Sequence, residues 1–425
     1  MIAVDGVQAL YLASQTTLRR LWAARRFAFE AQPAPRTKQL FVDVSVIIHN
    51  DARTGIQRVV RALLRQLYAM PLKDFAVLPV FATRDHGYCH ARLEDDGTIR
   101  SEGRLKNSRR RAQPSSGDVF LGLDLAANIL PYTESEIASW RRKGVAINFV
   151  VYDLLPLHHP AWFGGKTVRN FSRWIGVIAR QADRCICISK TVAQALTSEL
   201  LRRGSQTLPE ITDIPLGVDL AATFPSYGLP PDVPALRDWV LRHRVLLSVG
   251  TIEPRKGHRC VLQAMTHRWQ SLPKDDVALL VVGKPGWKTE ELQGLLRQHR
   301  EYGKRLIWLD GASDELLAEL YASATGLIAA SHGEGFGLPL VEALAHGTPV
   351  LARDLPVFRE VGGDLFEYFS DDTPASLAQS IDNWLSALPS DKVPRSPELV
   401  TWKDSANALV NRLGLSTELL EKGRI

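Results

Sequence analysis

Two glutamates lie close together in a glycine-rich segment, residues 331–350, which reads SHGEGFGLPLVEALAHGTPV. The glycines around Glu334 let backbone N–H groups approach a ligand, and Pro339 marks the first turn of a helix. Helix N-termini attract phosphate, whereas carboxylates such as Glu334 and Glu342 are suited to accept hydrogen bonds from a sugar hydroxyl and a ribose hydroxyl. The segment predicts a site for a ligand that carries both groups. A solvated helix residue is the plainer interpretation of Glu342.

A basic pair follows an apolar run in the segment VGTIEPRKGH, residues 249–258. Arg255 can hold a diphosphate through two parallel hydrogen bonds, while Lys256 supplies a point charge. Both would stabilise the charge that develops as a phosphate leaves. We therefore count Gly250, Arg255 and Lys256 among the predicted ligand-binding residues. A solvated basic turn is the alternative.

Two further loops carry weaker signals. Gly55 ends the loop between a predicted strand, which contains Asp43-Val44-Ser45, and the next predicted helix. A glycine there would let the helix N-terminus approach a diphosphate. Asp153 follows another apolar run and precedes His158 and His159. These three side chains are candidates for binding an acceptor, although the histidines are equally typical of an ordinary loop.

The elements that must position these residues alternate between apolar strands and helices. Such a pattern predicts parallel βαβ units and doubly wound sheets, whose ligands collect at the carboxyl ends of the strands. The charged stretch from Arg92 to Asp118 interrupts the alternation and is interpreted as a mobile surface loop. The predicted strands are 40–46, 75–81, 118–123, 145–152, 184–189, 245–249, 277–282, 306–309, 326–330 and 349–351, and the predicted helices are 56–70, 313–323, 338–346 and 401–413.

The length of 425 residues predicts two domains, because one core rarely grows so large. Proline-rich residues 225–234 mark the boundary between a Rossmann-like domain at 37–225 and a second one at 235–400. Residues 401–425 are expected to pack back on the first domain. Four cysteines, with no zinc-type spacing, indicate reduced thiols in a cytosol, with one of Cys185 and Cys187 in the core.

Charge and hydropathy leave several partners open. The formal net charge of +6 suits an anionic ligand, a membrane surface or nucleic acid, but the dispersed basic residues disfavour nucleic acid. No apolar stretch is long enough to span a bilayer. Residues 1–36 form a basic extension without an acidic side chain between positions 6 and 29, and residues 7–29 show an amphipathic pattern. This pattern is typical of a membrane-surface helix, a helix packed on its own domain, or a presequence.

Taken together, the motifs resemble glycosyltransferase family 4, the retaining enzymes of the GT-B fold, over about residue 40 to the C-terminus. The resemblance is most specific over residues 331–350, which match the family's motif of two glutamates separated by seven residues. It implies an α/β protein with two Rossmann-like doubly wound domains facing a central cleft. It departs from the common family pattern at Thr54-Gly55 and at Tyr152-Asp153, which puts the acceptor side in question.

The resemblance also implies roles for individual residues. Glu334 would contact the donor sugar, Glu342 the ribose, and Arg255 with Lys256 the diphosphate. Asp153 joins Glu334, Arg255 and Lys256 as an expected catalytic residue. Relatives work without a bound metal or other cofactor, and these cations would take the place of a metal. The other residues expected at the donor loop are Gly335, Phe336, Gly337 and Leu338.

The function that follows is transfer of a hexose, mannose or rhamnose from a GDP-linked donor, onto a glycan or lipid-linked glycan in O-antigen or capsule synthesis. The protein is expected in the cytoplasm, with peripheral membrane contact through residues 7–29. A GT-B sugar-nucleotide epimerase and a non-catalytic nucleotide-sugar-binding subunit are the alternatives.

Overall fold

The computed structural model describes residues 37–52, 54–102, 110–219, 228–230, 233–370, 373–388 and 399–417. The basic extension at residues 1–36 lies outside the described residues, as does half of the proline-rich boundary segment. Among the described residues, no helix has both the length and the apolar character that crossing a bilayer requires.

The first sheet has eight strands in the order β4-β3-β2-β1-β5-β6-β7-β8. Strand β1 pairs in parallel with β2 and β5, and β5 pairs in parallel with β6. The strands are β1 (Lys38–Asp43), β2 (Phe75–Phe81), β3 (Cys89–Leu93), β4 (Ile99–Ser101), β5 (Val119–Gly122), β6 (Ala146–Val151), β7 (Arg184–Cys187) and β8 (Glu210–Asp213). The helices along this part of the chain are α1 (Gly55–Ala69), α2 (Leu130–Arg142), α3 (Leu155–His158), α4 (Gly165–Gln181) and α5 (Lys190–Arg202).

The second sheet has six strands in the order β11-β10-β9-β12-β13-β14, and its paired strands are parallel. Its strands are β9 (Arg244–Val249), β10 (Val277–Val282), β11 (Leu306–Leu309), β12 (Gly326–Ala329), β13 (Val350–Arg353) and β14 (Glu367–Phe369). The remaining helices are α6 (Val233–Leu241), α7 (His258–Ser271), α8 (Glu290–Arg297), α9 (Asp314–Ser323), α10 (Leu338–Ala345), α11 (Pro356–Gly362), α12 (Pro374–Ala387) and α13 (Trp402–Arg412).

Strand β10 shows why these apolar runs form parallel strands. Leu279 and Val281 pack into one hydrophobic core, whereas Leu280 and Val282 pack into a second core that also contains Leu247 of β9. A strand covered on both faces needs apolar side chains at every position, because successive side chains point to opposite faces. The predicted doubly wound α/β class is therefore confirmed for both sheets.

Two expectations from the sequence need correction. The stretch from Arg92 to Asp118, expected to be a loop, contributes the antiparallel pair of β3 and β4, with Leu93 opposite Ile99. In β3 the charged Arg92 interrupts the buried residues, and in β4 the charged Arg100 is exposed, so the strands were hidden. Likewise Cys185 and Cys187 are both fully buried, because residues two apart in a strand share one face and this face of β7 is covered. Burial raises the pKa of the Cys185 thiol to about 12.

Contacts between residues divide the chain into two compact units. Unit 1 comprises Met1–Val150, Arg173–Cys185 and Ala406–Ile425, and unit 2 comprises Val151–Ser172 and Ile186–Ser405. Unit 2 therefore contains the whole second sheet together with the segment that follows β6. Within unit 1, Lys73 donates a backbone hydrogen bond to Ser416, which fixes the chain beyond α13.

Candidate active site

The order of the second sheet decides where a ligand is expected. Strand β9 lies between β10 and β12 in the sheet. The chain runs from β9 to β10 on one side and from β12 to β13 on the other, so the connections after these two neighbouring strands run in opposite directions. In open α/β sheets, ligands bind outside the carboxyl ends of the strands at such a switch point. The loop after β9 carries Arg255 and Lys256, and the loop after β12 carries Glu334. The topology alone brings these two loops side by side.

Backbone contacts then fix the two loops against each other. The N–H of His332 donates to the carbonyl of Arg255 at 2.7 Å. Gly257, which precedes α7, has φ 73°, and a Cβ at this position would lie 2.1 Å from the carbonyl oxygen of Ala330. Only glycine permits both the left-handed backbone and this close approach.

The charged side chains of the two loops form one ion-paired cluster. An Arg255 N–H donates to the Glu334 carboxylate at 2.6 Å, and the Lys256 ammonium donates to its other oxygen, also at 2.6 Å. Ser331 donates a third hydrogen bond to Glu334 at 2.8 Å. Arg255 also pairs with Glu253 at 2.7 Å, and the four charged side chains are between 3% and 16% exposed. We call these residues, Glu253, Arg255, Lys256, Ser331 and Glu334, the charge cluster.

The electrostatics of the charge cluster follow from burial and proximity. Burial works to raise the pKa of Glu334, but the charges of Arg255 and Lys256 and the donated hydrogen bonds outweigh it and hold this pKa at about 2. Burial likewise works to lower the pKa of Arg255, but the surrounding carboxylates raise it. Glu334 and Arg255 are therefore both ionised at neutral pH.

Asp153 joins the charge cluster electrostatically. Burial raises the pKa of Asp153, while the charges of Arg255 and Lys256 lower it in part. One of its oxygens accepts the N–H of Leu155 at 3.1 Å. Its backbone neighbourhood is close-packed, because a Cβ on Gly335 would lie 2.0 Å from the carbonyl oxygen of Tyr152. Glycine at 335 thus allows the Glu334 loop to lie directly against the chain that carries Asp153.

The glycine-rich loop ends at the N-terminus of α10. Gly337 precedes the helix with φ 104°, and a Cβ there would meet the ring of Phe358 at 2.8 Å. Pro339 occupies the first turn, where the absent N–H costs no hydrogen bond. The positive end of the helix dipole at this terminus is suited to an anionic ligand. The predicted donor residues Gly335, Phe336, Gly337 and Leu338 all belong to this loop and helix start.

Three predicted site residues lie outside the charge cluster and have other contacts. Glu342 is 2% exposed and accepts a hydrogen bond from the phenol of Tyr321 at 2.9 Å, so its role with a ribose stays a prediction. Gly55 lies in unit 1 as the first residue of α1, behind Thr54, whose hydroxyl accepts the N–H of Gln57. Gly250 is placed at the end of β9 with φ 142°, and its carbonyl contacts His258 at 3.1 Å.

Three contributors were not singled out from the sequence: Glu253, Ser331 and His258. Each lies within one of the motifs, but a residue whose role is to hydrogen-bond or pair with another side chain shows no characteristic spacing in the sequence. The Nε2–H of His258 donates to the carbonyl of Gly250 at 3.1 Å, and its Nδ1 lies 2.9 Å from the Ser248 hydroxyl. Burial, with the nearby Lys256 charge, lowers its pKa to about 4, so a neutral ring braces the loop.

Comparison with known proteins agrees with this geometry. The profile of the family described as Glycosyl transferases group 1 matches residues 238–393, which include the charge cluster and α10. Residues 238–393 are therefore similar to a glycosyl transferases group 1 domain. The domain coincides with the second sheet, where the two loops meet.

The chain is also similar to longer and more distant proteins. It is 37% identical over 398 residues to the serotype-specific mannosyltransferase WbdA of Escherichia coli. This alignment covers 92% of the present chain but only 48% of WbdA. Among solved structures it resembles Anabaena Alr3699/HepE in complex with UDP and glucose (TM-score 0.54, 16% identity, 88% of this chain and 95% of that one). It also resembles the sucrose-phosphate synthase of Thermosynechococcus elongatus (TM-score 0.55, 18% identity, 88% and 94%). The fold is that of the GT-B glycosyltransferases.

Proposed function

We propose that this chain is a retaining glycosyltransferase that moves mannose, or the related hexose rhamnose, from a GDP-linked donor onto a glycan acceptor. The observation that carries the proposal is the charge cluster, in which Arg255 and Lys256 both hold Glu334 at 2.6 Å. Two buried cations beside a carboxylate match a pyrophosphate-linked sugar, which presents an anion and adjacent hydroxyls.

The proposed reaction needs no nucleophile from the protein. The bond between the anomeric carbon and the donor phosphate breaks, and the acceptor oxygen forms a new bond to that carbon on the same face. The acceptor proton passes to the leaving phosphate. Arg255 and Lys256 stabilise the charge that accumulates on the phosphate, while Glu334 and Asp153 orient hydroxyl groups near the reacting carbon.

The substrates are proposed from the relatives. WbdA is named a serotype-specific mannosyltransferase, which favours mannose as the transferred sugar and an O-antigen or another surface glycan, free or lipid-linked, as the acceptor. Because this chain spans about half the length of WbdA, the assignment concerns one transfer activity, not every activity of the longer protein. The same proposal places donor binding on residues 235–400 and acceptor binding on 37–225.

The proposal also includes sugar transfer without a bound metal ion and a cellular location for the protein. Arg255 and Lys256 supply the positive charge that a divalent cation supplies to pyrophosphate in other enzymes. We expect sugar transfer to be unchanged by EDTA, and a loss that added Mg²⁺ or Mn²⁺ restores would contradict this. The cytoplasmic location and the peripheral membrane contact through residues 7–29 rest on the sequence.

A panel of nucleotide sugars tests the donor assignment. We expect GDP-mannose or another GDP-hexose to raise the melting temperature most, followed by acceptor-dependent release of GDP and an NMR signal for a product of retained configuration. Lys256→Ala and Glu334→Ala should each lower kcat/KM by roughly 100-fold or more, since each removes a charge at the reacting centre. Retained activity in both variants would remove the site assignment.

Matched controls come from the neighbouring ion pair between Arg259 and Glu291, which join at 3.0 Å with side chains 41% and 77% exposed. Arg259→Ala in α7 removes a basic side chain, and Glu291→Ala in α8 removes an acidic one. Both lie outside the charge cluster, so these variants should leave kcat/KM near the wild-type value. Conversion of the GDP-sugar into its epimer without any acceptor would instead support the epimerase, whereas release of GDP without an acceptor product would indicate hydrolysis at the same site.

A further inference from the structure

An exposed group of aromatic rings lies beside the charge cluster. It comprises His159, Trp162, Phe163, Trp287 and His332, and we call it the aromatic platform. Trp287 is 43% exposed, and His159 and His332 are also exposed. Large aromatic side chains are seldom left in solvent, and a contiguous exposed group marks a binding surface. All five residues belong to unit 2.

The rings form two contacting groups. In the first, His159 stacks on Trp162 with ring centroids 4.0 Å apart and planes at 16°, and Trp162 lies 6.5 Å from His332. In the second, Phe163 lies 6.0 Å from Trp287. Three stretches of chain contribute these rings: residues 159–163, the loop after β10 and the loop after β12.

Polar contacts hold this surface rigid. The indole N–H of Trp287 donates to the carbonyl of Trp162 at 2.8 Å. The ammonium of Lys288 donates to the carbonyls of Ala161 and Phe163, each at 2.8 Å. Lys288 itself has φ 56°, an uncommon conformation for a residue other than glycine, and such strain persists where surrounding contacts enforce it.

The aromatic platform is continuous with the charge cluster. A Cβ on Gly333 would lie 3.0 Å from the ring of Trp162, so glycine lets the indole approach the loop closely. The carbonyl of that same Gly333 accepts a hydrogen bond from Arg255 at 3.0 Å. A ligand lying on these rings would reach the atoms around Glu334.

We propose that the aromatic platform binds the non-reducing end of the glycan acceptor by stacking its pyranose rings on Trp287 and on the stacked pair of His159 and Trp162. The C–H bonds on one face of a mannose ring carry partial positive charge, and the face of an indole is negative. Several rings in series suit a chain of sugars, whereas one nucleobase needs only one ring. The inference rests on the proposed function and extends it to the acceptor.

Direct binding of oligosaccharides tests the inference independently of catalysis. Calorimetry of manno-oligosaccharides of increasing length, with GDP present, should show tighter binding for longer chains to the wild-type protein. Trp287→Ala and Trp162→Ala should each weaken this binding and raise the acceptor KM about tenfold, a change of about 1.4 kcal/mol. Trp287→Phe keeps a ring and should recover most of the loss.

Controls separate this proposal from the proposed function. Tyr132→Ala removes an exposed ring in unit 1, 49% exposed, and should leave the acceptor KM unchanged. If both tryptophan variants bind the oligosaccharides and turn over as the wild-type protein does, the acceptor platform is refuted while donor transfer stands. If they weaken GDP binding alone, the rings serve the nucleobase and the inference is also wrong. A wild-type protein that binds no nucleotide sugar refutes the proposed function instead.

Discussion

Glu334 holds both cations of the charge cluster, and this has a consequence for ligand binding. Removing the carboxylate takes from Lys256 its partner Glu334 and leaves Arg255 paired with Glu253 alone, which costs about 3 kcal/mol of folding free energy. An added anion can take the place of the lost carboxylate. Under the proposed function, the side chain would therefore compete with a diphosphate for the same two cations.

We predict anion rescue in Glu334→Gln. The variant should melt at a lower temperature than the wild-type protein, and GDP or inorganic pyrophosphate should raise its melting temperature by more than they raise the wild-type value. Differential scanning fluorimetry measures both shifts, with Glu291→Gln as the control. An equal or smaller shift in the variant would show that the cations do not bind the diphosphate.

Asp43 ends β1 in unit 1 and is 1% exposed. Burial raises its pKa from 3.8 to about 7, against hydrogen bonds donated by Ser45 and Tyr88. Because the folded state holds the proton more tightly than the unfolded state, this contribution to stability is complete below about pH 4. It is lost as the pH rises through about 7.

We predict that Asp43→Asn flattens this pH dependence. Between about pH 5 and pH 8 the wild-type free energy of unfolding should fall by about 2 kcal/mol more than that of the variant. Urea denaturation at several pH values measures the difference. The exposed carboxylate of Asp85 supplies the control, Asp85→Asn, whose pH profile should match the wild-type profile. Parallel profiles for Asp43→Asn and wild type would show that Asp43 stays ionised.

At the scale of elements, helix α5 receives two caps at its N-terminus. The Ser189 hydroxyl accepts the N–H of Val192 at 3.1 Å. Glu360 of α11 accepts the N–H groups of Lys190 and Thr191 at 2.6 and 2.9 Å. A carboxylate at this end also interacts favourably with the helix dipole. The two helices, distant in sequence, are thereby joined within unit 2.

Removing the second cap should destabilise the protein measurably. Glu360→Ala is expected to lower the free energy of unfolding by about 1 kcal/mol, since it leaves two N–H groups to water and removes the favourable charge. Glu360→Gln keeps acceptor oxygen and should lose less. Glu367→Ala, at an exposed position in β14, is the control in urea denaturation. A loss in Glu367→Ala as large as that in Glu360→Ala would contradict the capping role.

Strands with an apolar side chain at every position were predictable from sequence, whereas strands that combine charged and apolar side chains were not. The strands 75–81, 277–282 and 306–309 were predicted with the observed bounds, because every position carries an apolar side chain. The hairpin of β3 and β4 was missed because its exposed positions are charged. In the charge cluster, Arg255 and Glu334 were found from the loops they occupy, whereas Glu253 and Ser331 gain their partners only when those loops fold together.

At the scale of the whole molecule, the two sheets differ in how far known families describe them. The group 1 profile covers residues 238–393 alone, while the similarity to WbdA extends over 92% of the chain. Donor sugars share a diphosphate, so one constellation of cations serves many enzymes. Acceptors differ in shape and charge, so the residues that bind them have less reason to follow a common motif.

The net charge of +6 belongs to the whole chain, and residues 1–36 contribute a basic segment that includes Arg25 and Arg26. Anionic lipid attracts each basic side chain near its surface with about 1 kcal/mol. We therefore predict that the full chain sediments with vesicles that contain anionic lipid, and that replacing Arg25 and Arg26 with alanine weakens this partitioning roughly 30-fold.

Deleting residues 1–36 should abolish the association without changing GDP binding, and raising the salt concentration should weaken it, since exposed charges are screened. Vesicles of zwitterionic lipid are the control for purely apolar binding. If the deleted chain binds anionic vesicles as strongly as the full chain, the attraction resides in the folded units. The amphipathic pattern of residues 7–29 would then have another use.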